Sequence, residues 1–194
     1  MRELPLGKPR AVSFLKIKII MSHKINIILF GIGATGSALI NKVQKEKKRL
    51  EIENRIAVRF PVITNTTVAF FEKEGANFSW EANFIQFGIP FKMEDILLYV
   101  IDNELENVVI VDATPSLQLT NAYIEFLRSG FSVVSINENL KLLPESFEKG
   151  ARFLGDTYGG GYKFITTAFA NKDLAAEALF DGILQVVDKK KKVA

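Results

Sequence analysis

The sequence predicts an α/β protein: a single domain built on a mostly parallel sheet with helices on both faces. Three observations predict this class. Short apolar runs, suited to buried parallel strands, alternate with segments of helical spacing between residues 24 and 136. A glycine-rich turn at residues 31–36 follows the first of these runs. The chain has 194 residues, 48% of them hydrophobic, which is enough for one sizeable core.

The first predicted strand and the turn after it organise the rest of the chain. Residues 25–30 are apolar, and Gly31, Gly33 and Gly36 follow in the spacing G-x-G-x-x-G before a helical segment at residues 37–49. This order of strand, glycine turn and helix is the context of a dinucleotide-binding turn. Gly31 would make the tight turn, Gly33 would let a pyrophosphate approach the backbone, and Gly36 would let the helix pack closely on the strand. The alternative is a glycine turn that binds nothing.

The start of this first helix is the expected phosphate site. Its free backbone N–H groups would face the phosphates, so we assign the pyrophosphate to the three glycines and to the amides of Ile32, Ala34 and Thr35. The alternation of strands and helices predicts a doubly wound, Rossmann-like sheet of parallel strands in the order 3-2-1-4-5. The glycine loop would lie at its carboxyl edge, and the first strand would pair with residues 108–111.

The second predicted strand bears on the choice of cofactor. It covers residues 55–63, and Pro61 predicts an irregularity because proline cannot donate to a strand ladder. An Asp or Glu at its end would bind the ribose 2′-hydroxyl of NAD. The sequence has residues 64–67, Thr-Asn-Thr-Thr, at that place, and the first carboxylate is Glu72. NAD and NADP therefore both stay open as cofactors, with a slight preference for NADP.

Periodicity predicts the remaining elements. The aromatic residues between positions 68 and 90 are expected to cover the core rather than form a stacking platform: Phe70, Phe71, Phe78, Trp80, Phe84 and Phe87. Helices are predicted at 92–103, 117–128 (ending at Gly130) and 173–187 (capped by Asp173), and strands at 108–111, 131–136 and, at the edge, 162–168.

The composition excludes several classes of site. The sequence has no cysteine and one histidine, His23, so disulfides, thiolate catalysis and multi-histidine metal sites are excluded, and no metal site is predicted. No apolar run approaches the about 18 residues of a membrane span. The net charge is +3, and the basic excess lies at the two ends of the chain, which is a poor argument for nucleic-acid binding. A cytoplasmic protein is predicted.

The two ends of the chain are set apart from the predicted domain at residues 21–188. Residues 1–20 mix basic and apolar side chains and make a poor signal peptide. Because Met21 opens a natural start just before the first strand, we interpret residues 1–20 as the product of an upstream start and expect the chain from Met21 to fold as stably. The alternatives are a basic arm or an extra strand through Leu15, Ile17 and Ile19. Residues 189–194 are predicted to be a basic tail.

Three stretches resemble the homoserine dehydrogenase family. Residues 25–40 are similar to its first strand and glycine loop. Residues 107–140 match a strand ending in Asp-x-Thr-x-Ser, a helix with a Tyr and a Phe-Leu pair, and a Val-Val strand with an Asn turn. Residues 175–187 resemble the helix that closes its nucleotide-binding domain. The resemblance implies that Thr114, Pro115 and Ser116 line the nicotinamide ribose and that Asn137 forms the far wall; Thr114 and Ser116 could equally be a helix N-cap and turn.

Two departures from the family pattern limit the implied activity. Residues 156–161 resemble the crossing into the family's substrate and dimerisation domain, yet the chain continues almost directly to the closing helix, so most of that domain is missing. Glu138 and Asn139 stand where the family has a lysine pair near the nicotinamide, and Lys141 is not expected to replace it. No catalytic residue is therefore assigned.

Three functions compete. The first is a dinucleotide-binding or regulatory module without its own substrate site. The second is an oxidoreductase that acts with a partner chain, and the third is a domain without a ligand. Assembly into a homo-oligomer or with a partner protein is left open for all three.

Overall fold

The computed structural model describes residues 23–166 and 171–193, with the side chains of the last helix described up to Lys189. The strands are β1 (His23–Phe30), β2 (Ile56–Thr64), β3 (Val68–Phe71), β4 (Ile89–Pro90), β5 (Val108–Asp112), β6 (Ser132–Ser135) and β7 (Tyr162–Phe164). The α-helices are α1 (Ala34–Arg49), α2 (Trp80–Phe87), α3 (Met93–Asp102), α4 (Leu117–Thr120), α5 (Tyr123–Arg128), α6 (Glu145–Thr157) and α7 (Lys172–Val193). A π-helical turn, Leu50–Asn54, extends α1, and a 3₁₀ turn, Glu138–Leu142, precedes α6.

The strands form one sheet in the order β4-β3-β2-β1-β5-β6-β7. The predicted order 3-2-1-4-5 corresponds to the central strands β3-β2-β1-β5-β6 and is confirmed. Strand β1 lies between β2 and β5, as expected. The expectation that all five are parallel is wrong for β3, which pairs antiparallel with β2, as β4 does with β3. The physical reason is the short connection at residues 65–67, which allows a hairpin but is too short for a parallel crossover. The sheet is therefore mostly parallel.

The irregularity predicted at Pro61 is present. The β1–β2 register advances two residues on β1, from Asn26 to Ile28, while it advances three on β2, from Arg59 to Val62. The extra residue is a β-bulge, and the carbonyl of Pro61 instead accepts the N–H of Glu72 at 2.9 Å.

Helices cover both faces of the sheet, as a doubly wound fold requires. Helices α1, α2 and α7 pack on the face that carries Ile25, Ile27 and Leu29 of β1, and helices α3, α4, α5 and α6 pack on the face of Ile28 and Phe30. Alternate residues of β1 thus enter two separate apolar layers, and each side chain buried this way contributes roughly 1.5–3 kcal/mol. Trp80, Phe84 and Phe70 are buried as expected, but Phe78 and Phe87 are 76% and 56% exposed and do not cover the core.

Helix boundaries differ from the predicted ones where side chains or turns decide them. The segment 117–128 is two short helices separated by a turn at residues 121–122, and α6 was not predicted. The closing helix is capped by Asn171, whose Oδ1 accepts the N–H groups of Asp173 and Leu174, and not by Asp173. It continues through Val193, beyond the predicted end at 187.

Of the other predicted element ends, one is confirmed and two lie partly or wholly outside the described residues. At Gly130 the predicted helix end is confirmed, with φ of 77° and the hydrogen bonds of a Schellman motif, Gly130 N–H to Leu127 O and Phe131 N–H to Phe126 O. The edge strand predicted at 162–168 ends at Phe164, and its last two residues lie outside the described part, as do residues 1–20. Within residues 23–166 and 171–193, every helix is too short or too polar to cross a bilayer.

Candidate functional site

The carboxyl ends of four neighbouring strands finish at one level. Phe30 of β1 pairs with Thr64 of β2 and Asp112 of β5, and Asp112 pairs with Ser135 of β6. Backbone hydrogen bonds continue past the strand ends, from Gly31 N–H to Thr64 O and from Ala113 N–H to Phe30 O, both at 2.9 Å. The loops that follow these strands therefore begin side by side. This edge is where ligands bind in open α/β sheets.

Gly31 makes the tight turn at the end of β1. Its φ is +95°, a conformation that residues with a Cβ rarely adopt. A Cβ at this position would lie 2.8 Å from the carbonyl oxygen of Ala113 and 2.9 Å from Thr114 Cγ2. The loop after β1 thus packs directly on the loop after β5, and only glycine fits between them.

Gly33 is the N-cap of α1 and lies open to solvent. Its φ of −66° and ψ of −165° suit any residue, and a Cβ there would meet no described atom within 4 Å. The first helical hydrogen bond runs from Ser37 N–H to Gly33 O, so the three amides before it, in Ala34, Thr35 and Gly36, have no helical acceptor. The first turn of α1 contains no acidic residue. This end of a 16-residue helix offers open space, free donors and a positive dipole end to an anion.

Gly36 brings α1 onto the turn. A Cβ on Gly36 would lie 1.9 Å from the carbonyl oxygen of Gly31, so no other residue fits. The Ser37 hydroxyl donates to the carbonyl of Ile32 at 2.7 Å and closes the loop from the other side. The helix therefore begins at Ala34, three residues before its predicted start, with Thr35 and Gly36 inside its first turn.

The loop after β5 is built around the buried carboxylate of Asp112. Its Oδ1 accepts the Thr114 N–H at 2.8 Å and the Thr114 hydroxyl at 2.7 Å, while its Oδ2 accepts the Tyr123 hydroxyl at 2.5 Å and Asn137 Nδ2 at 3.0 Å. Ser116 is the N-cap of α4, since its Oγ accepts the Leu119 N–H. The N-cap interpretation is therefore confirmed for Ser116, whereas Thr114 forms a side-chain turn on Asp112.

Asn137 is 1% exposed, and its side chain is fully engaged inside the protein. Its Nδ2 donates to Asp112 Oδ2 and to the Ser116 carbonyl at 2.8 Å, and its Oδ1 accepts the N–H of Asn139. Thr114 and Ser116 are half-buried and Pro115 is exposed at the same edge. The predicted wall residue thus lies beneath the loop, and its neighbours form the accessible surface.

Burial governs the protonation of this cluster. Desolvation raises the pKa of Asp112 above its ordinary value, and the hydrogen bonds from Tyr123, Thr114 and Asn137 oppose that rise. The pKa of Tyr123 is also raised, chiefly by burial and then by the adjacent Asp112 charge. All four hydrogen bonds to Asp112 come from donor groups, which favour the carboxylate and therefore limit the rise of its pKa without reversing it. The sequence motif included Asp112 and Tyr123, but no site role was predicted for either. The signal for Asp112 was a carboxylate at the end of an otherwise apolar strand.

The end of β2 has hydroxyl and amide groups only. Asn65 Oδ1 accepts the N–H groups of Thr67 and Val68, which closes the turn into β3. Because β3 runs antiparallel, Glu72 lies back beside Pro61, away from the carboxyl edge. The Thr64 hydroxyl is buried and has no hydrogen-bond partner among the described residues.

A protein-family model described as the NAD-binding domain of homoserine dehydrogenase matches residues 31–149. The chain belongs to this family. The match covers the glycine loop, the Asp112–Ser116 loop and the turn at Asn137. The resemblance inferred from the sequence is thereby confirmed.

Curated relatives in this homoserine dehydrogenase family are much longer proteins. The bifunctional aspartokinase/homoserine dehydrogenase of Buchnera aphidicola is 29% identical over 154 residues, which are 74% of this chain and 19% of that protein. The Escherichia coli bifunctional aspartokinase/homoserine dehydrogenase 2 is 23% identical over 138 residues, 66% of this chain and 17% of that protein. The chain thus spans less than a fifth of the length of either relative.

Solved homoserine dehydrogenases share the fold. A hyperthermophilic archaeal homoserine dehydrogenase in complex with NADPH aligns with a TM-score of 0.55 at 18% identity, over 73% of this chain and 43% of that one. The Staphylococcus aureus enzyme aligns with a TM-score of 0.54 at 18% identity, over 76% of this chain and 34% of that one. Both alignments support a Rossmann-type NAD-binding fold for this family member.

Two places in this family member correspond to the departures noted in the sequence. Strand β7 ends at Phe164 and α7 begins at Lys172, so residues 165–171 alone connect them, and no substrate domain is inserted there. Glu138 is exposed and pairs with Lys141 at 3.1 Å, so the ammonium group of Lys141 is engaged on the surface of the 3₁₀ turn.

Among the described residues, no cluster of His, Asp and Glu could hold a metal ion.

Proposed function

We propose that this chain binds NAD or NADP at the carboxyl edge of its sheet and acts as a dinucleotide-binding or regulatory module without its own substrate site. The observation that carries the proposal is the geometry at Gly33. Open space lies against an α-helix N-terminus whose first-turn amides have no helical acceptor, in a chain of the homoserine dehydrogenase NAD-binding family. A pyrophosphate is the anion that this combination suits.

Each predicted site residue has a place in this proposal. The pyrophosphate contacts the backbone of the loop that runs from Gly31 through Gly36, including the amides of Ile32, Ala34 and Thr35. The nicotinamide ribose lies against Thr114, Pro115 and Ser116, the accessible surface of the neighbouring loop. Asn137 supports that surface from below through Ser116. A cytoplasmic location, and assembly with a second copy or another protein, stay predictions from the sequence.

A preference for NADP is the finer part of the proposal. The turn after Thr64 has no carboxylate to accept the 2′-hydroxyl of NAD, and Glu72 is turned away from the edge by the antiparallel β3. The exposed hydroxyls of Thr66 and Thr67 would not repel a 2′-phosphate. The NADPH complex of the archaeal enzyme shows that cofactor in a protein of the same fold.

A second candidate function is hydride transfer of the homoserine dehydrogenase type, with another chain supplying the substrate contacts. It is favoured by the family match, which extends over both loops at the proposed nicotinamide side, residues 112–116 and 135–139. This chain by itself supplies neither a substrate domain between β7 and α7 nor a free lysine at the turn after β6.

The test is calorimetric titration and thermal shift with NAD, NADP, their reduced forms and AMP. We expect weak binding, with dissociation constants of about 10–1,000 μM, because the ribose carboxylate and a covering domain are missing. Gly33→Val should abolish binding, since its side chain would occupy the pyrophosphate position, and should leave the fold intact, since the Gly33 backbone suits valine. Gly150→Val on α6 is the matched control, because its added side chain also begins in open space. Equal binding by Gly33→Val and the wild type, or no binding by the wild type, would refute the proposal.

A further inference from the structure

The carboxylate of Asp112 joins three segments that are distant in sequence. It accepts hydrogen bonds from Thr114 in the loop after β5, from Tyr123 on α5 and from Asn137 in the turn after β6. The Tyr123 hydroxyl is also hydrogen-bonded to Ser135 Oγ at 2.9 Å, which extends the cluster to the last residue of β6. Asp112, Tyr123 and Ser135 are each no more than 1% exposed. We call these five residues the Asp112 cluster.

The Asp112 cluster holds the accessible loop at several points. Asp112 accepts the N–H and the hydroxyl of Thr114, and Asn137 donates to the carbonyl of Ser116. Outside the cluster, Asn139 Nδ2 donates to the carbonyl of Pro115. The other side of this loop touches the glycine turn, since Ala113 and Thr114 lie against Gly31. Residues 113–116 are therefore held by partly buried hydrogen bonds on one side and by packing of Ala113 and Thr114 on the other.

We propose that Asp112 and Tyr123 are positioning residues, which hold residues 114–116 in the conformation that receives the nicotinamide half of a dinucleotide. This inference rests on the proposed function and assigns each half of the dinucleotide to one loop. The glycine loop binds the adenosine diphosphate half, and the Asp112 cluster shapes the surface that receives the nicotinamide half. Neither residue reaches a ligand itself, because both are buried.

Stability by itself is a poor reason for this arrangement. Burying a carboxylate carries a desolvation cost, which offsets much of what its hydrogen bonds contribute to stability. What a fully satisfied buried network does provide is one defined arrangement of the groups attached to it. Here those groups are the loops that meet at the carboxyl edge.

The experiment compares whole dinucleotides with fragments that lack nicotinamide. Dissociation constants are measured by calorimetry for NADP⁺ and ADP-ribose 2′-phosphate, and for NAD⁺ and ADP-ribose, on the wild type, Tyr123→Phe and Tyr162→Phe. Tyr123→Phe removes one hydroxyl from the Asp112 cluster and keeps the ring. Tyr162→Phe is the matched control, because Tyr162 packs on the same face with its ring 6.4 Å from that of Tyr123.

We expect Tyr123→Phe to weaken dinucleotide binding by up to about tenfold, because the net contribution of the hydrogen bond it removes limits how far the loop can shift from its binding conformation. The same variant should bind the nicotinamide-free fragments as the wild type does, and Tyr162→Phe should bind both kinds of ligand normally. Equal losses for dinucleotide and fragment, or no loss for either, would overturn this inference and leave the proposed function standing. A wild type that binds neither ligand would refute both.

Discussion

Gly31 and Thr114 lie so close that a Cβ on Gly31 would be 2.9 Å from Thr114 Cγ2 and 2.8 Å from the carbonyl oxygen of Ala113. The contact joins the loop after β1 to the loop after β5, at the two strand ends that pair in the centre of the sheet. The glycine is thus a structural requirement of the fold, whatever its role toward a ligand.

Gly31→Ala should therefore destabilise the protein. The added methyl group meets backbone that cannot move freely, and the φ of +95° is strained for alanine, so we expect a loss of about 2 kcal/mol or more in the free energy of unfolding. Urea denaturation measures it. The control is Gly150→Ala inside α6, where no described atom lies within 4 Å and alanine should add about 0.5–1 kcal/mol. Equal effects of the two substitutions would contradict the packing described for Gly31.

Thr64→Val should stabilise the protein or leave it unchanged. The Thr64 hydroxyl is buried without a partner among the described residues, and an unsatisfied buried polar group costs about 1–3 kcal/mol that valine, of nearly equal shape, would not incur. Urea denaturation of both proteins gives the difference. Thr120→Val is the control, because the Thr120 hydroxyl is buried and donates to the Leu117 carbonyl at 2.6 Å, so its removal should cost about 1 kcal/mol. A clear loss on Thr64→Val would show that this hydroxyl has a partner.

The stability contributed by Asp112 should fall as the pH rises. Burial raises the pKa of Asp112 in the folded protein, while the unfolded chain has the ordinary value of about 3.9. Between these two values the folded state binds more protons, so the contribution is fully present below the ordinary value and decreases up to the raised one. Urea denaturation of the wild type and Asp112→Asn, from about the ordinary pKa of the carboxyl group upward, measures the contribution of this group, because titrations common to both proteins cancel. The advantage of the wild type should be largest at the acidic end, and an advantage that grows with pH would contradict the raised pKa.

The chain by itself should not oxidise homoserine or reduce aspartate semialdehyde at a useful rate. Holding a substrate carbon against the nicotinamide supplies up to about 7–11 kcal/mol of an enzyme's acceleration, and residues 165–171, which connect β7 to α7, include no domain to do so. A proton acceptor is also needed, a role that contributes about 10²–10⁴-fold, and Lys141 is paired with Glu138. Absorbance of NADH or NADPH at high protein concentration measures turnover. Robust turnover that is lost in Gly33→Val would show that a substrate site exists in this chain.

Local patterns predicted the parts of the fold that neighbouring residues decide. The apolar run 25–30 and the glycine spacing after it specified a buried strand and a turn, because a hydrophobic period and the steric needs of glycine act within a few residues. Pro61 predicted the β-bulge in β2 for a similar local reason, since proline cannot donate a backbone hydrogen bond. The family resemblance implied that Thr114, Pro115 and Ser116 line the nicotinamide ribose. The structure has them at the carboxyl edge beside the glycine loop, and their contact with the ribose stays a prediction.

The sequence by itself determined the alternation of strands and helices, the central strand order and the family. The tertiary structure decided the antiparallel direction of β3, the division of segment 117–128 and the cap of α7 at Asn171. It also decided that Asp112, Tyr123 and Asn137 meet in one buried cluster. The physical reason is range. Backbone preferences depend on residues within the same turn or strand. The partners of a buried polar group depend on which distant elements the packed core brings together.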